Sequence, residues 1–215
     1  MTNKKKADII IKLLEDKYPE AVCGLVSGKD PHRMLVMAVL SAQTTDKIVN
    51  KVSRTLFIRF PTPESIAYSA AGVLEEEIRT IGLFNSKAKN LRLACKRLVE
   101  VYGGVLPSDM KELLTLAGVG RKVANLIRGD LFGLGGIVTD THCIRICGRL
   151  GFVENKNPLI VERTMDALIP KGEQSDFCHR IVLFGREICN AKKPLCEGCF
   201  LKEYCKYNKT KNKSS

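Results

Sequence analysis

The cysteines near the C-terminal end of the chain have the spacing of a metal site. Four of the nine cysteines follow the pattern C-x6-C-x2-C-x5-C, and they are Cys189, Cys196, Cys199 and Cys205. The segment around them is too polar to form a hydrophobic core, so four unligated core thiols are a poor explanation. Four thiolates this close together can bind one centre, either a tetrahedral zinc ion or a [4Fe–4S] cluster. Spacing and coordination number alone leave both alternatives open.

A lysine and an aspartate in the middle of the chain could perform covalent chemistry. Lys122 directly follows a segment with two glycines, and Asp140 lies further along in Thr139-Asp140-Thr141-His142. A neutral lysine amine is a nucleophile, and a carboxylate can stabilise developing positive charge or accept a proton. Each residue also has a simpler interpretation, Lys122 as a surface lysine and Asp140 as the N-cap of a helix.

The glycines before Lys122 predict a tight hairpin between two helices, with Gly118 and Gly120 at the turn. A two-residue glycine spacing permits positive φ and lets another molecule approach the backbone closely. The amides of this turn and of the first helical turn, beside Arg121, would then form a phosphate-binding nest at a helix N-terminus. The alternative is an ordinary interhelical turn with a glycine C-cap, which the segment by itself does not exclude.

The charge of the whole chain favours a polyanionic partner. The 215 residues include 35 Lys and Arg against 23 Asp and Glu, a formal net charge of +12. Solubility does not need so one-sided an excess, so nucleic acid is the expected partner. Lys192 and Lys193 lie on the loop between the first two clustered cysteines and suit phosphate contacts, with solvated lysines as the alternative.

The sequence favours a protein of the cell interior, without a membrane partner. No apolar run reaches the roughly 18 residues that a membrane span needs. In the reducing cytoplasm, cysteines serve as metal ligands more often than as disulfides. We therefore expect a cytoplasmic protein, associated with the nucleoid if the source is a prokaryote.

The elements that must position these residues are all predicted to be helices. Apolar spacing and caps predict about ten helices joined by short turns, and no segment shows the alternation of a strand. Residues 73–81 form one such helix, which Gly82 is expected to end in a left-handed cap. Asn85 or Ser86 should cap the next helix, and residues 206–215 should form a basic, disordered tail. The predicted fold class is all-α.

Together, the glycine hairpin with Lys122, the aspartate in Thr139-Asp140-Thr141-His142 and the cysteine spacing resemble the endonuclease III family of helix-hairpin-helix DNA glycosylases. The motifs occur in order, and the combination is highly specific although no single motif would suffice; the resemblance covers about residues 10–207. The chain departs from the family pattern at Ala117, usually proline, and at Thr139, usually small and apolar. Neither change removes a functional group.

The resemblance implies two helical domains that flank a DNA-binding cleft. A six-helix barrel would span residues 24–134, with its helix-hairpin-helix over residues 109–130. The second domain would combine residues 1–23 with 135–215, of which 206–215 are the basic tail. It would hold a [4Fe–4S] cluster on the four clustered cysteines. In this family the cluster is structural or redox-responsive and does not perform the base chemistry.

The same resemblance assigns roles to single residues. Lys122 matches the family's catalytic lysine and Asp140 its catalytic aspartate. Gln43 matches the residue that fills the gap left by an extruded nucleotide, and Leu83 matches a wedge residue pushed into the duplex. These roles are physically reasonable. An enzyme cannot reach a base that is stacked in the duplex, so the nucleotide must be flipped out, and side chains can fill the gap that it leaves. The residues expected to contact DNA are Gln43, Leu83, Gly118, Gly120, Arg121, Lys192 and Lys193.

The activity that the resemblance implies is a base-excision-repair DNA glycosylase with AP lyase activity. Such an enzyme, expected here as a monomer, would excise oxidised pyrimidines from duplex DNA through a Schiff base on Lys122. It would then cleave the strand 3′ to the abasic site by β-elimination. Two alternatives are an adenine glycosylase, which would lack the lysine, and a DNA-binding iron–sulfur sensor without catalysis. His142 could orient Asp140 or only pack against its neighbours.

Overall fold

The computed structural model describes residues 1–211 and is all-helical, which confirms the predicted fold class. This part of the chain contains no strand, and none of its helices is both long and apolar enough to span a membrane. Two short 3₁₀-helices, Lys171–Glu173 and Lys202–Tyr204, accompany the α-helices. The α-helices are α1 (Asn3–Lys17), α2 (Pro31–Leu40), α3 (Asp46–Arg59), α4 (Pro63–Ala67), α5 (Val73–Glu77), α6 (Phe84–Tyr102), α7 (Met110–Leu113), α8 (Arg121–Phe132), α9 (Thr141–Leu150), α10 (Pro158–Leu168), α11 (Gln174–Glu187) and α12 (Lys206–Lys211).

The chain folds as two compact units, each with its own hydrophobic core. One unit is Cys23–Gly133, which contains α2 to α8. The other combines Met1–Val22 with the chain from Leu134 onward. The N-terminal helix α1 therefore folds with the C-terminal part of the chain and not with the segment that follows it.

Helix α2 is central to the core of the Cys23–Gly133 unit, and its residues Met34–Leu40 are all buried. Asp30 caps the helix by accepting a 2.9 Å hydrogen bond from the N–H of Arg33, and Pro31 occupies the first turn. A proline there loses no hydrogen bond, because the first N–H groups of a helix have no intrahelical acceptor. Since the segment Met34–Leu40 is apolar on every side, α2 packs against α3, α6 and α8.

In the other unit, α11 packs against both α1 and α9. Helix α1 begins at a cap from the Thr2 hydroxyl and buries one apolar face. Gly185 of α11 is needed where this helix approaches α9, because a Cβ at that position would overlap His142 Nδ1 and Arg145 Nη2. This close approach fixes the helix that follows Asp140.

The segment after the last clustered cysteine is more ordered than the sequence predicts. Residues Lys206–Lys211 form α12, which packs against α9, and Lys206 Nζ lies 2.6 Å from Glu154 Oε1. The prediction of a disordered tail was therefore wrong for these residues, because contacts with a distant helix supply order that a basic segment lacks alone. The rest of the predicted tail, residues 212–215, lies outside the described residues.

Candidate active site and clustered cysteines

The predicted hairpin joins α7 to α8 through two glycines with different conformations. Gly118 has φ +82°, and a Cβ there would lie 3.0 Å from Val39 Cγ1 and 3.2 Å from Asn90 Cβ. Gly120 has φ −92° and ψ 177°, an extended conformation, and the position of its missing Cβ is open. The expected positive φ therefore occurs only at Gly118, where packing also requires glycine.

Helix α8 begins with two exposed basic residues, Arg121 and Lys122, directly after its N-cap Gly120. Gly120 has no side chain that could compete for the first N–H groups of the helix, and its carbonyl accepts a 2.9 Å bond from the N–H of Ala124. These N–H groups carry the partial positive charge of a helix N-terminus. The hairpin thus presents amide donors, a guanidinium and an ammonium on one short segment, which suits a phosphate.

Asp140 is half-buried and is the N-cap of α9. Its Oδ1 accepts a 2.7 Å hydrogen bond from the N–H of Cys143, and its carbonyl accepts one of 3.0 Å from the N–H of Ile144. The cap fixes the orientation of the carboxylate. The structural and the catalytic interpretations of Asp140 are compatible, because a carboxylate has two oxygens and the described cap uses one of them.

Gln43 and Leu83 are exposed and share a rare backbone conformation. Gln43 has φ +54° and Leu83 has φ +60°, and among the described residues the only other non-glycine residue with positive φ is Lys29. The sequence predicted this conformation for Gly82 and a cap from Asn85 or Ser86. Both predictions were wrong, because Leu83 itself is the left-handed N-cap of α6. Strain of this kind persists where the surrounding structure enforces it and is frequent at functional sites.

The four clustered cysteines line one cavity in the unit that contains α9 and α11. It is also lined by apolar side chains such as Phe184 and Leu201. All four cysteines are half-buried. Burial raises the pKa of the Cys199 and Cys205 thiols, and charge on the other cysteines raises it further. Thiols in such surroundings favour a positive centre that stabilises their thiolate forms.

The loop between the first two of these cysteines, Asn190–Leu195, is called the cluster loop here. It is closed by a 3.0 Å hydrogen bond from the N–H of Leu195 to the carbonyl of Ile188. Arg149 donates 2.7 Å hydrogen bonds to the carbonyls of Asn190 and Ala191. The two lysines of the loop, Lys192 and Lys193, are exposed on this fixed backbone.

A family comparison decides the class of the protein. Residues 36–171 match the family described as HhH-GPD superfamily base excision DNA repair protein. The match covers more than half of the chain and includes the hairpin, Lys122 and Asp140. The chain belongs to this family.

The HhH-GPD chain is similar along nearly its whole length to curated proteins named endonuclease III. It is 42% identical to that of Synechocystis sp. over 205 residues, 95% of this chain and 93% of the relative. It is 38% identical to that of Bacillus subtilis over 214 residues, 99% of this chain and 97% of the relative. With the Escherichia coli protein the identity is 36% over 208 residues, 96% of this chain and 97% of the relative.

Solved structures agree with this relationship. The HhH-GPD chain superimposes with a TM-score of 0.91 and 39% identity on "Structure of a non-covalent Endonuclease III-DNA Complex", covering 99% of this chain and 100% of that chain. The same values hold for "Structure of a Trapped Endonuclease III-DNA Covalent Intermediate: Estranged-Adenine Complex". The protein is a base-excision DNA glycosylase and AP lyase.

Three positively charged side chains of this HhH-GPD protein lie at structurally important positions that the sequence did not predict. Lys87 is buried in α6, and Arg145 and Arg149 of α9 are half-buried. Arg145 Nη2 lies 3.1 Å from His142 Nδ1 and donates to the carbonyls of Gly185 and Cys189. Arg149 Nη1 lies 3.3 Å from Cys189 Sγ.

Helical spacing was the one signal available for the buried lysine. Lys87 precedes the buried Leu91 by four residues and therefore falls on the apolar face of α6. The two arginines had no such signal, because their partners lie about forty residues away in the sequence.

Proposed function

We propose that the protein excises oxidised pyrimidines from duplex DNA, with Lys122 as the nucleophile and Asp140 as the assisting carboxylate. The observation that carries the proposal is the position of Lys122, exposed in the first turn of α8 directly after the hairpin. A phosphate held by the hairpin would place a nucleotide next to this amine. One of the similar solved structures is a trapped covalent intermediate of endonuclease III with DNA, and such an intermediate requires a nucleophile on the protein.

The reaction follows from the chemistry of an amine and a carboxylate. The neutral amine of Lys122 attacks C1′ of the damaged nucleotide, and the bond from C1′ to the base breaks with its electron pair on the base. Opening of the sugar ring gives a Schiff base. Removal of a proton from C2′ then breaks the bond from C3′ to oxygen, which cleaves the strand 3′ to the lesion. Asp140 stabilises positive charge on the sugar and accepts protons in these steps.

Access to the lesion requires that its nucleotide leave the base stack. Gln43 fills the vacated space through its amide, and Leu83 enters the duplex as an apolar wedge. Their exposure on left-handed backbone supports both roles. The hairpin residues Gly118, Gly120 and Arg121 and the cluster-loop lysines bind backbone phosphates in this proposal, and the chain acts as a monomer.

The clustered cysteines hold a [4Fe–4S] cluster in this proposal. The four cysteines line one cavity, and four thiolates are the ligands that such a cluster requires. Four thiolates could also bind a tetrahedral zinc ion. The resemblance of the cysteine spacing to that of the endonuclease III family favours the cluster. The cluster would supply structural stability and redox response, and the base chemistry stays with Lys122 and Asp140.

Reductive trapping tests the nucleophile. Borohydride added during reaction with a thymine glycol duplex should reduce the imine and leave a covalent protein–DNA adduct on Lys122, located by peptide mass spectrometry. Lys122→Gln should abolish the adduct and strand cleavage but keep DNA affinity, because the hairpin amides remain. The matched control is Lys111→Gln, an exposed lysine of α7 in the same hairpin, which should keep the adduct. No adduct, or an adduct on another amine, would contradict the assignment.

A duplex panel tests the substrate class. Base release and strand nicking should be scored separately on duplexes with one thymine glycol, one purine lesion or one abasic site. Base release from the thymine glycol duplex well above that from the purine lesion supports the proposed class. Release of adenine from mispairs without nicking would favour a monofunctional glycosylase, and binding without either reaction would favour a sensor.

A further inference from the structure

Lys87 is a buried cation in the Cys23–Gly133 unit, with 4% of its surface exposed. Burying an ammonium group is unfavourable unless its hydrogen bonds are made. Nζ of Lys87 donates 2.9 Å to the carbonyl of Leu40 and 2.8 Å to Oγ1 of Thr44. Burial lowers the pKa of this ammonium group. A methionine or leucine would pack on this apolar face without that cost, so the charge needs an explanation beyond packing.

The two acceptors of Lys87 bracket Gln43. Leu40 is the last residue of α2, and Thr44 follows Gln43 in the turn before α3. One ammonium group therefore ties together both ends of the short segment in which Gln43 takes φ +54°. A cation also suits the carbonyl end of a helix, where the helix dipole is negative.

The backbone of Lys87 is bonded to the other strained residue. Its N–H donates a 3.0 Å hydrogen bond to the carbonyl of Leu83, which closes the first turn of α6. Lys87 thus contacts the Gln43 segment through its side chain and Leu83 through its main chain. The two exposed left-handed residues Gln43 and Leu83 are connected through this one lysine.

We propose that Lys87 is a positioning residue that fixes the spacing between Gln43 and Leu83, so that both side chains enter the duplex in register when a nucleotide is extruded. The inference rests on the plug and wedge roles proposed above. Lys87 does not touch DNA in this proposal and takes no part in the reaction at C1′. Its loss should impair extrusion and leave bond cleavage intact.

The test compares Lys87→Met with Lys89→Met, which removes an exposed lysine two residues further along the same helix. Single-turnover base release is measured on a paired lesion and on the same lesion opposite an abasic site, where no base pair has to be broken for extrusion. Lys87→Met should slow release from the paired lesion by about 10- to 100-fold, the scale of losing hydrogen bonds to a charged group. The unpaired lesion should be affected much less, and Lys89→Met should match the wild type.

Two further variants separate positioning from stability. Lys87→Arg keeps the positive charge and N–H donors at this position and should restore part of the rate on the paired lesion. Thr44→Val removes one acceptor at nearly constant volume and should give a smaller loss in the same direction, which also covers the case that Lys87→Met does not fold. Thermal unfolding of every variant is recorded alongside. Equal losses on paired and unpaired lesions would overturn the proposal.

Gln43→Ala and Leu83→Ala distinguish failure of this inference from failure of the proposed roles. If both variants lose rate selectively on the paired lesion but Lys87→Met does not, the plug and wedge roles stand and the inference about Lys87 is wrong. If neither variant shows the selective loss, the proposed roles are wrong and the inference falls with them. A selective loss in all three variants supports both the plug and wedge roles and the inference about Lys87.

Discussion

Asp140 accepts a 2.7 Å hydrogen bond from the backbone N–H of Cys143. The carboxylate proposed to assist the reaction is therefore also the cap that begins α9. A cap residue is held in one orientation by a bond that does not depend on substrate, so the carboxylate is preorganised before DNA binds. Structural and catalytic contributions of this residue can be separated by substitution.

Asp140→Asn should keep the cap and remove the charge. Asparagine caps helices as well as aspartate does, so the unfolding free energy should change little. Base release should slow by about 10²- to 10³-fold, the scale of losing one electrostatic stabiliser. Asp140→Ala should lose the cap as well, which is worth about 1 kcal/mol. The measurements are single-turnover rates and denaturant unfolding, and an Asn variant with wild-type rates would refute the catalytic role.

The purified protein should contain iron and sulfide rather than zinc. A [4Fe–4S] cluster predicts about four irons and four sulfides per chain and a yellow-brown colour. Cys196→Ala should lose iron, whereas Cys95→Ala, a buried cysteine of the other unit, should retain it. Elemental analysis and the visible absorption spectrum check both statements. A colourless protein with stoichiometric zinc would contradict the proposed centre.

Binding to undamaged duplex should weaken steeply with salt, as the net charge of +12 indicates. Removing both cluster-loop lysines, Lys192→Ala with Lys193→Ala, should flatten the slope of log K against log salt by up to about two units. Lys12→Ala with Lys17→Ala removes the same charge from exposed positions of α1 and separates local contacts from total charge. If both double variants shift the slope equally, the cluster loop has no special contact with DNA.

Substitution by alanine should affect the stability of the protein differently at Gly118 and at Gly120. At Gly118 the φ of +82° and the short distances to Val39 and Asn90 strain any side chain, so Gly118→Ala should destabilise the protein by about 1–3 kcal/mol. Gly120 is extended and open, so Gly120→Ala should cost only the difference between glycine and alanine as an N-cap, less than about 1 kcal/mol. Denaturant unfolding of the two variants measures the difference. Equal destabilisation would mean that the hairpin depends on both glycines for its fold.

The sequence by itself determined the helical class and the residue types of the candidate site. Asp30 and Pro31 mark the start of α2, because a cap and a proline act on the residues beside them. The spacing of the clustered cysteines predicts a shared centre for the same reason, since short loops keep ligands close. The roles of Lys122 and Asp140 stay predictions, carried by their motifs and by the family to which the chain belongs.

Only the tertiary structure decided which residues carry strain and which distant groups meet. The sequence predicts a left-handed conformation at Gly82, because glycine has no Cβ. Leu83 takes that conformation instead. The packing of α6 outweighs the backbone strain at Leu83, which is about one to a few kcal/mol. Residues Lys206–Lys211 form a helix because α9 lies beside them. Lys87 is buried because the carbonyl of Leu40 and the hydroxyl of Thr44, more than forty residues away in the chain, supply the acceptors that its charge requires.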